Sequence, residues 1–162
     1  MNTRYKDFDV VVVGRCYHQT LNMKTSILLS AAFFVVAHSA ASPGCGNSIS
    51  AQLTRGGADQ TNTLSFTTSG GVVRSYLLHI PSSYDINTPA PFAFSFHGRT
   101  ATPQEEQSIS GLSNEAFNPN YIVAYPAGIN AQWQGDPAAV GYDDVSFTLE
   151  LLTNLSSTFC LD

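Results

Sequence analysis

Two successive carboxylates, Asp143 and Asp144, and four histidines are the first residues of this chain that could carry chemistry. Paired carboxylates suit general acid–base work, and a histidine suits proton transfer near neutral pH. Their settings narrow these roles. Asp143 and Asp144 precede apolar residues spaced three and four apart, so a helix amino-terminus accounts for both: their oxygens cap free N–H groups, and negative charge is favoured there. His79 falls within an apolar strand pattern and reads as structural. His97 follows Phe92, Ala93, Phe94 and Phe96 and stands directly before Gly98. That places it at the carboxyl end of a strand buried on both faces, where open α/β sheets bind their ligands. It is expected to pack and hydrogen-bond rather than act as a base. No Cys/His cluster has metal-ligand spacing, and neither a metal nor another cofactor is expected.

The elements that must position these residues follow from local pattern. Gly44 to Gln60 has no period and reads as an irregular arm. Leu64 and Phe66 alternate with polar neighbours up to Thr68, and Ser69-Gly70-Gly71 separates them from the run Val72 to Ile80, which predicts a hairpin stopped by Pro81. Phe92 to Phe96 is the central strand. Thr102-Pro103-Gln104-Glu105 has the form of a capping box with Pro at the first helical position. Gly111 and Ser113 interrupt that helix. Tyr121 to Tyr125 is a second buried strand, stopped by Pro126-Ala127-Gly128. The residues from Asn130 to Gly141 form a loop with the only tryptophan, Trp133. Val145, Leu149, Leu152 and Leu155 then recur along one face of a final helix. Strands alternating with helices imply an α/β fold with a mostly parallel sheet, made mixed by the leading hairpin.

The chain has 162 residues, 43% of them hydrophobic and only 12% charged. It can bury one core and is neither coiled coil nor disordered. Beyond residue 41 it carries three basic against ten acidic residues, a formal net charge of −7. Without a basic patch, nucleic acid and anionic membrane surfaces are excluded as partners. Lys24 followed by the apolar run Ser26 to Ala37 and a small-residue exit reads as a secretory leader, residues 23–41, too short for a membrane span. Residues 1–22 read as a doubtful extension, with Met23 as the expected start. Asp9 to Gly14 resembles a strand and turn but does not continue as a dinucleotide-binding motif. An extracellular chain favours disulfides. Cys45 and Cys160 either bridge each other or pair with cysteines outside the chain, and Cys16 lies in the extension. Asn154-Leu155-Ser156 is a glycosylation sequon on the predicted final helix.

A resemblance emerges from motifs in a fixed order: Gly44-Cys45-Gly46, Arg74-Ser75-Tyr76, Ile80-Pro81-Ser82-Ser83-Tyr84, and Phe94 to Thr100 through His97-Gly98. Tyr125-Pro126-Ala127-Gly128, Trp133 to Pro137 and Asp143 to Phe147 continue the series. Together they resemble fungal feruloyl esterases of the C type, relatives of polyhydroxybutyrate-depolymerase-like and acetylxylan esterases. The resemblance implies residues 42–162 as part of an α/β-hydrolase domain. It also implies a secreted serine esterase acting on feruloylated plant cell-wall polysaccharide, arabinoxylan above all. Gly98 and Arg99 would supply oxyanion-hole N–H groups, and Trp133 would either border the substrate cleft or cover the core from its loop. The family's nucleophile sits in G-x-S-x-G. Here Gly111-Leu112-Ser113-Asn114-Glu115 lacks the second glycine and precedes the fourth-strand candidate, so Ser113 is read as part of a helix break. No catalytic triad residue is therefore expected in this chain. The hydrolase sheet would set the third strand between the fourth and the fifth. Without the fifth, Phe92 to Phe96 is expected to have an open edge and an uncovered apolar flank, and the chain alone to be inactive and to fold poorly. The alternatives are an acetylxylan or polyester esterase of the same fold, or a non-catalytic secreted carbohydrate-binding protein.

Overall fold

Alternation of side chains builds the first ladder. β2 (Asn62–Thr67) and β3 (Val73–His79) pair antiparallel from Thr67 opposite Val73 to Asn62 opposite Leu78. The turn between them carries Gly71 at φ +78°, a conformation that favours glycine. These coordinates are a computed structural model, which describes residues 41–162 and the pair Val11–Val12. Apart from that pair, the first 40 residues, with the expected leader and Cys16, lie outside the described residues.

β4 (Phe92–Phe94) and β5 (Ile122–Pro126) pair in parallel and are buried throughout. Continuous apolar sequence suits a strand covered on both faces. β5 also pairs antiparallel with β3, and the outer side of β4 takes β1 (Val11–Val12), antiparallel. The sheet order is β1-β4-β5-β3-β2, a mixed α/β sheet as the sequence implies. Among the described residues only β4 and β5 pair in parallel, so the expectation of a mostly parallel sheet needs correction. The expectation of an unpaired edge on the central strand needs correction, because Val11 and Val12 lie opposite Phe94 and Ala93.

A second contact touches that outer side. Ile122 N–H donates to the Pro91 carbonyl at 3.0 Å, so the groups of Ala90 point the other way. They meet Leu161 in an isolated parallel bridge: Ala90 N–H donates to Cys160 O at 2.9 Å, and Asp162 N–H donates to Ala90 O at 2.9 Å.

α1 (Pro103–Ser110) joins β4 to β5, and α2 (Asp144–Thr158) follows β5. The capping box of α1 is formed by Thr102 and Glu105, and Gly111 ends the helix in the left-handed conformation at φ +64°. Tyr76, Leu78, Phe92, Phe94, Ile122 and Ala124 pack on one face of the sheet with Phe147, Leu151 and Leu155 of α2. Leu77, Val123 and Tyr125 form a smaller cluster with Leu112 on the other face, the side of α1.

The face of α2 differs from the sequence expectation. Phe147, Leu151 and Leu155 are buried, whereas Val145 and Leu149 are 63% and 59% exposed and Leu152 is half-buried. The helix carries two apolar stripes, and the sheet takes the one containing the aromatic ring.

Cys45 and Cys160 form a disulfide across 115 residues of sequence. A closure of that length is worth about 4–5 kcal/mol in the chain-entropy account. The arm from Ser42 to Asn47 is bound to the end of α2 around it. Gly44 N–H donates to Ser156 O at 2.8 Å, and the Asn47 side chain donates to Ser157 O at 3.1 Å. Ser42 Oγ donates to Phe159 O and accepts from Leu161 N–H, both at 2.7 Å.

Candidate active site

Two loops meet beyond the carboxyl ends of the parallel pair β4 and β5. His97, 2% exposed, joins them. Its Nε2 lies 2.9 Å from Gly128 N, and its Nδ1 lies 2.8 Å from Gly98 O. A peptide N–H can only donate and a carbonyl can only accept, so Nε2 is the acceptor and Nδ1 carries the proton. His97 is thus a neutral brace with both nitrogens committed to backbone. Gly128 is required at its end of the brace, since a Cβ there would strike the main chain of Gln132.

Trp133 closes over the brace. Its indole N–H donates to His97 O at 2.7 Å, and its ring lies 4.8 Å from the imidazole and 5.2 Å from Phe96. Thr100 N–H donates to Ala131 O at 2.8 Å, which ties the two loops a third time. Thr100, Asn130 and Ala131 all have positive φ, at +67°, +53° and +56°. Three non-glycine residues in this region are strained by about 1–3 kcal/mol each, and such strain gathers at functional loops. The N–H groups of Gly98 and Arg99 meet no acceptor among the described residues. Arg99 itself is 60% exposed, 3.6 Å from Asp136, a surface pair of little energetic weight.

A buried ion pair holds the second loop from beneath. Arg74 of β3, 3% exposed, lies 2.6 Å from Asp144 Oδ1 and donates to Ala127 O at 2.9 Å. Its guanidinium sits 4.0 Å above the Phe147 ring. Asp144 also accepts from Gln134 N–H, and its own N–H donates to the Gln134 side chain at 3.2 Å. The neighbouring Asp143 is the helix cap, accepting from Ser146 N–H at 2.9 Å and Ser146 Oγ at 2.7 Å. The two carboxylates are therefore a cap and an ion-pair partner, not an acid–base couple. Arg74 escaped sequence reasoning, although it shares its strand face with Tyr76 and Leu78.

Beside the braced loops, Phe94, Phe96 and Trp133 face the exposed stripe of α2, Val145, Leu149 and Leu152, across an apolar cleft of about 440 Å³. Trp133 thus borders both the His97 loop and this cleft.

The remaining candidates are accounted for separately. Ser113 is fully buried, 2.9 Å from the Tyr125 hydroxyl, whose pKa burial pushes up. His79 is fully buried against Gln60 O at 2.9 Å. Among the described residues no serine hydroxyl is hydrogen-bonded to a histidine, and no group of His, Cys, Asp and Glu side chains could hold a metal ion. No helix among the described residues is long and apolar enough to cross a membrane. Asn154 is exposed on α2, remote in sequence from the braced loops.

A mixed α/β sheet with a braced glycine loop after a parallel strand is the setting of many ester hydrolases. The chain is similar to two of them. Probable feruloyl esterase C of Aspergillus niger is 29% identical over 141 residues, 83% of this chain and 46% of the relative. Feruloyl esterase B of Piromyces equi is 26% identical over 93 residues, 55% of this chain and 17% of the relative. The chain thus spans less than half the length of either. No family model matches the chain.

Proposed function

We propose that this chain carries the oxyanion-binding side of a secreted feruloyl esterase of the C type, and that the attacking serine and its partners are supplied by sequence outside it. The observation that carries this reading is the loop at residues 97–100. The N–H groups of Gly98 and Arg99 are left without acceptors among the described residues, on a turn that His97 and Trp133 hold rigid. Preorganised N–H donors of this kind stabilise the tetrahedral oxyanion of acyl transfer. The bridge between Ala90 and Leu161 is compatible with the rest: a parallel strand continuing from it along β4 would take the place that Val11 and Val12 hold opposite Phe94 and Ala93. The apolar cleft beside it would then be covered by that continuation, with Trp133 at the border of the ferulate site. Feruloylated cell-wall polysaccharide is the proposed substrate, outside the cell.

Replacing the aligned part of the Aspergillus niger relative with residues 44–162 tests this. The chimera should hydrolyse methyl ferulate, and Arg99→Pro, which removes one donor, should lower kcat about 10²–10³-fold. The 162-residue chain alone should release no ferulate. A folded chimera without activity, or hydrolysis by the isolated chain, sinks the proposal.

A further inference from the structure

We infer that Asn154 is an N-glycosylation site, filled only before the Cys45–Cys160 disulfide ties down the end of α2. The inference rests on the secretory reading above, which the disulfide itself favours, since such bonds persist in oxidising compartments.

The sequon Asn154-Leu155-Ser156 lies within α2, its asparagine six residues before Cys160 begins the last segment. Asn154 is exposed, and its side-chain amide makes no hydrogen bond among the described residues. It lines a cleft of about 550 Å³ with Gln52, Leu53, Thr63, Tyr76 and Thr158. The cleft leaves room beside Asn154 for a first sugar.

The folded sequon cannot be read by a transferase. Leu155 is 1% exposed in the core, and the Ser156 hydroxyl donates to Thr153 O at 3.0 Å instead of standing free beside the asparagine. The arm from Ser42 to Asn47 then binds the carbonyls of Ser156, Ser157 and Phe159. Transfer must therefore occur on the unfolded segment. There the Asn154 amide nitrogen forms a bond to C1 of an oligosaccharide carried on a polyprenyl diphosphate. The C1–oxygen bond to phosphate breaks, the lipid diphosphate leaves, and the amide yields one proton to the transferase base.

The test translates the full chain into endoplasmic-reticulum microsomes and follows its migration with protease protection. A protected chain should show a slower band that endoglycosidase digestion removes and that Ser156→Ala and Asn154→Gln each abolish. Dithiothreitol or Cys45→Ser should raise the glycosylated fraction. A protected chain without the slower band overturns the site while leaving the secretory reading intact. An unprotected chain overturns that reading and the site with it. Occupancy insensitive to the disulfide overturns the proposed order of events.

Discussion

The indole N–H of Trp133 and the main-chain carbonyl of His97 are 2.7 Å apart, 36 residues apart in sequence. The loop after β4 is therefore held by a residue of the loop after β5. Trp133→Phe keeps most of the ring contact and removes the donor. It should cost about 1 kcal/mol in urea unfolding followed by circular dichroism, in the range of one net hydrogen bond. Trp133→Ala should cost more, because Phe96 and His97 lose their covering ring.

Arg74 and Asp144 behave as a unit. Removing either partner leaves a buried charge unpaired, so Arg74→Leu and Asp144→Asn should each destabilise the chain by about 3–5 kcal/mol. The double variant Arg74→Leu/Asp144→Asn should lose much less than the sum, since neither charge is then stranded. Additive losses in denaturant titrations would show that the two side chains act independently.

Reduction should separate two contributions of the arm. Opening the Cys45–Cys160 bond should lower stability by up to about 4–5 kcal/mol, with Cys45→Ser giving the same result as dithiothreitol. Ser42→Ala in the oxidised chain removes the hydroxyl shared by Phe159 and Leu161 and should lower stability by a smaller amount. Thermal melts with and without reductant measure both.

Acid should loosen the hairpin and the cap of α2. Glu150 accepts from the hydroxyl and N–H of Ser69, Glu115 likewise from Ser82, and Asp143 from Ser146. These bonds hold all three carboxyls below their ordinary values of 4.5 for glutamate and 3.8 for aspartate. A group with a lowered folded pKa stabilises the fold above its unfolded pKa and loses that contribution as pH falls through the folded one. The melting temperature should therefore be level near neutrality and fall below about pH 4.5. Glu150→Gln should flatten that decline, and an unchanged slope would remove Glu150 from the account.

Local chemistry made much of the fold readable in advance. The hairpin, the two buried strands, the Thr102 capping box and the Gly111 stop are each written in consecutive residues. The burial of α2 is not. Its stripes Val145-Leu149-Leu152 and Phe147-Leu151-Leu155 have similar periods, and the sheet face beneath Tyr76 and Phe94 decides between them. The brace among His97, Gly128 and Trp133 was equally hidden, because it joins two loops that share no pattern. Arg74 left a faint signal: it alternates with exposed Val73 and Ser75 on the same side as Tyr76, yet a charged strand residue reads as surface until its partner Asp144 is brought beneath it.

Trp133 is the only indole in the chain, and it lies between an imidazole, a phenyl ring and an open cleft. Light absorbed at the red edge of the protein spectrum is thus collected almost wholly at the junction of the two loops. Its emission colour and quenching are a built-in optical gauge of that one place. Anything entering the cleft, whether a chain segment or an aromatic acid, would be seen there without an added dye.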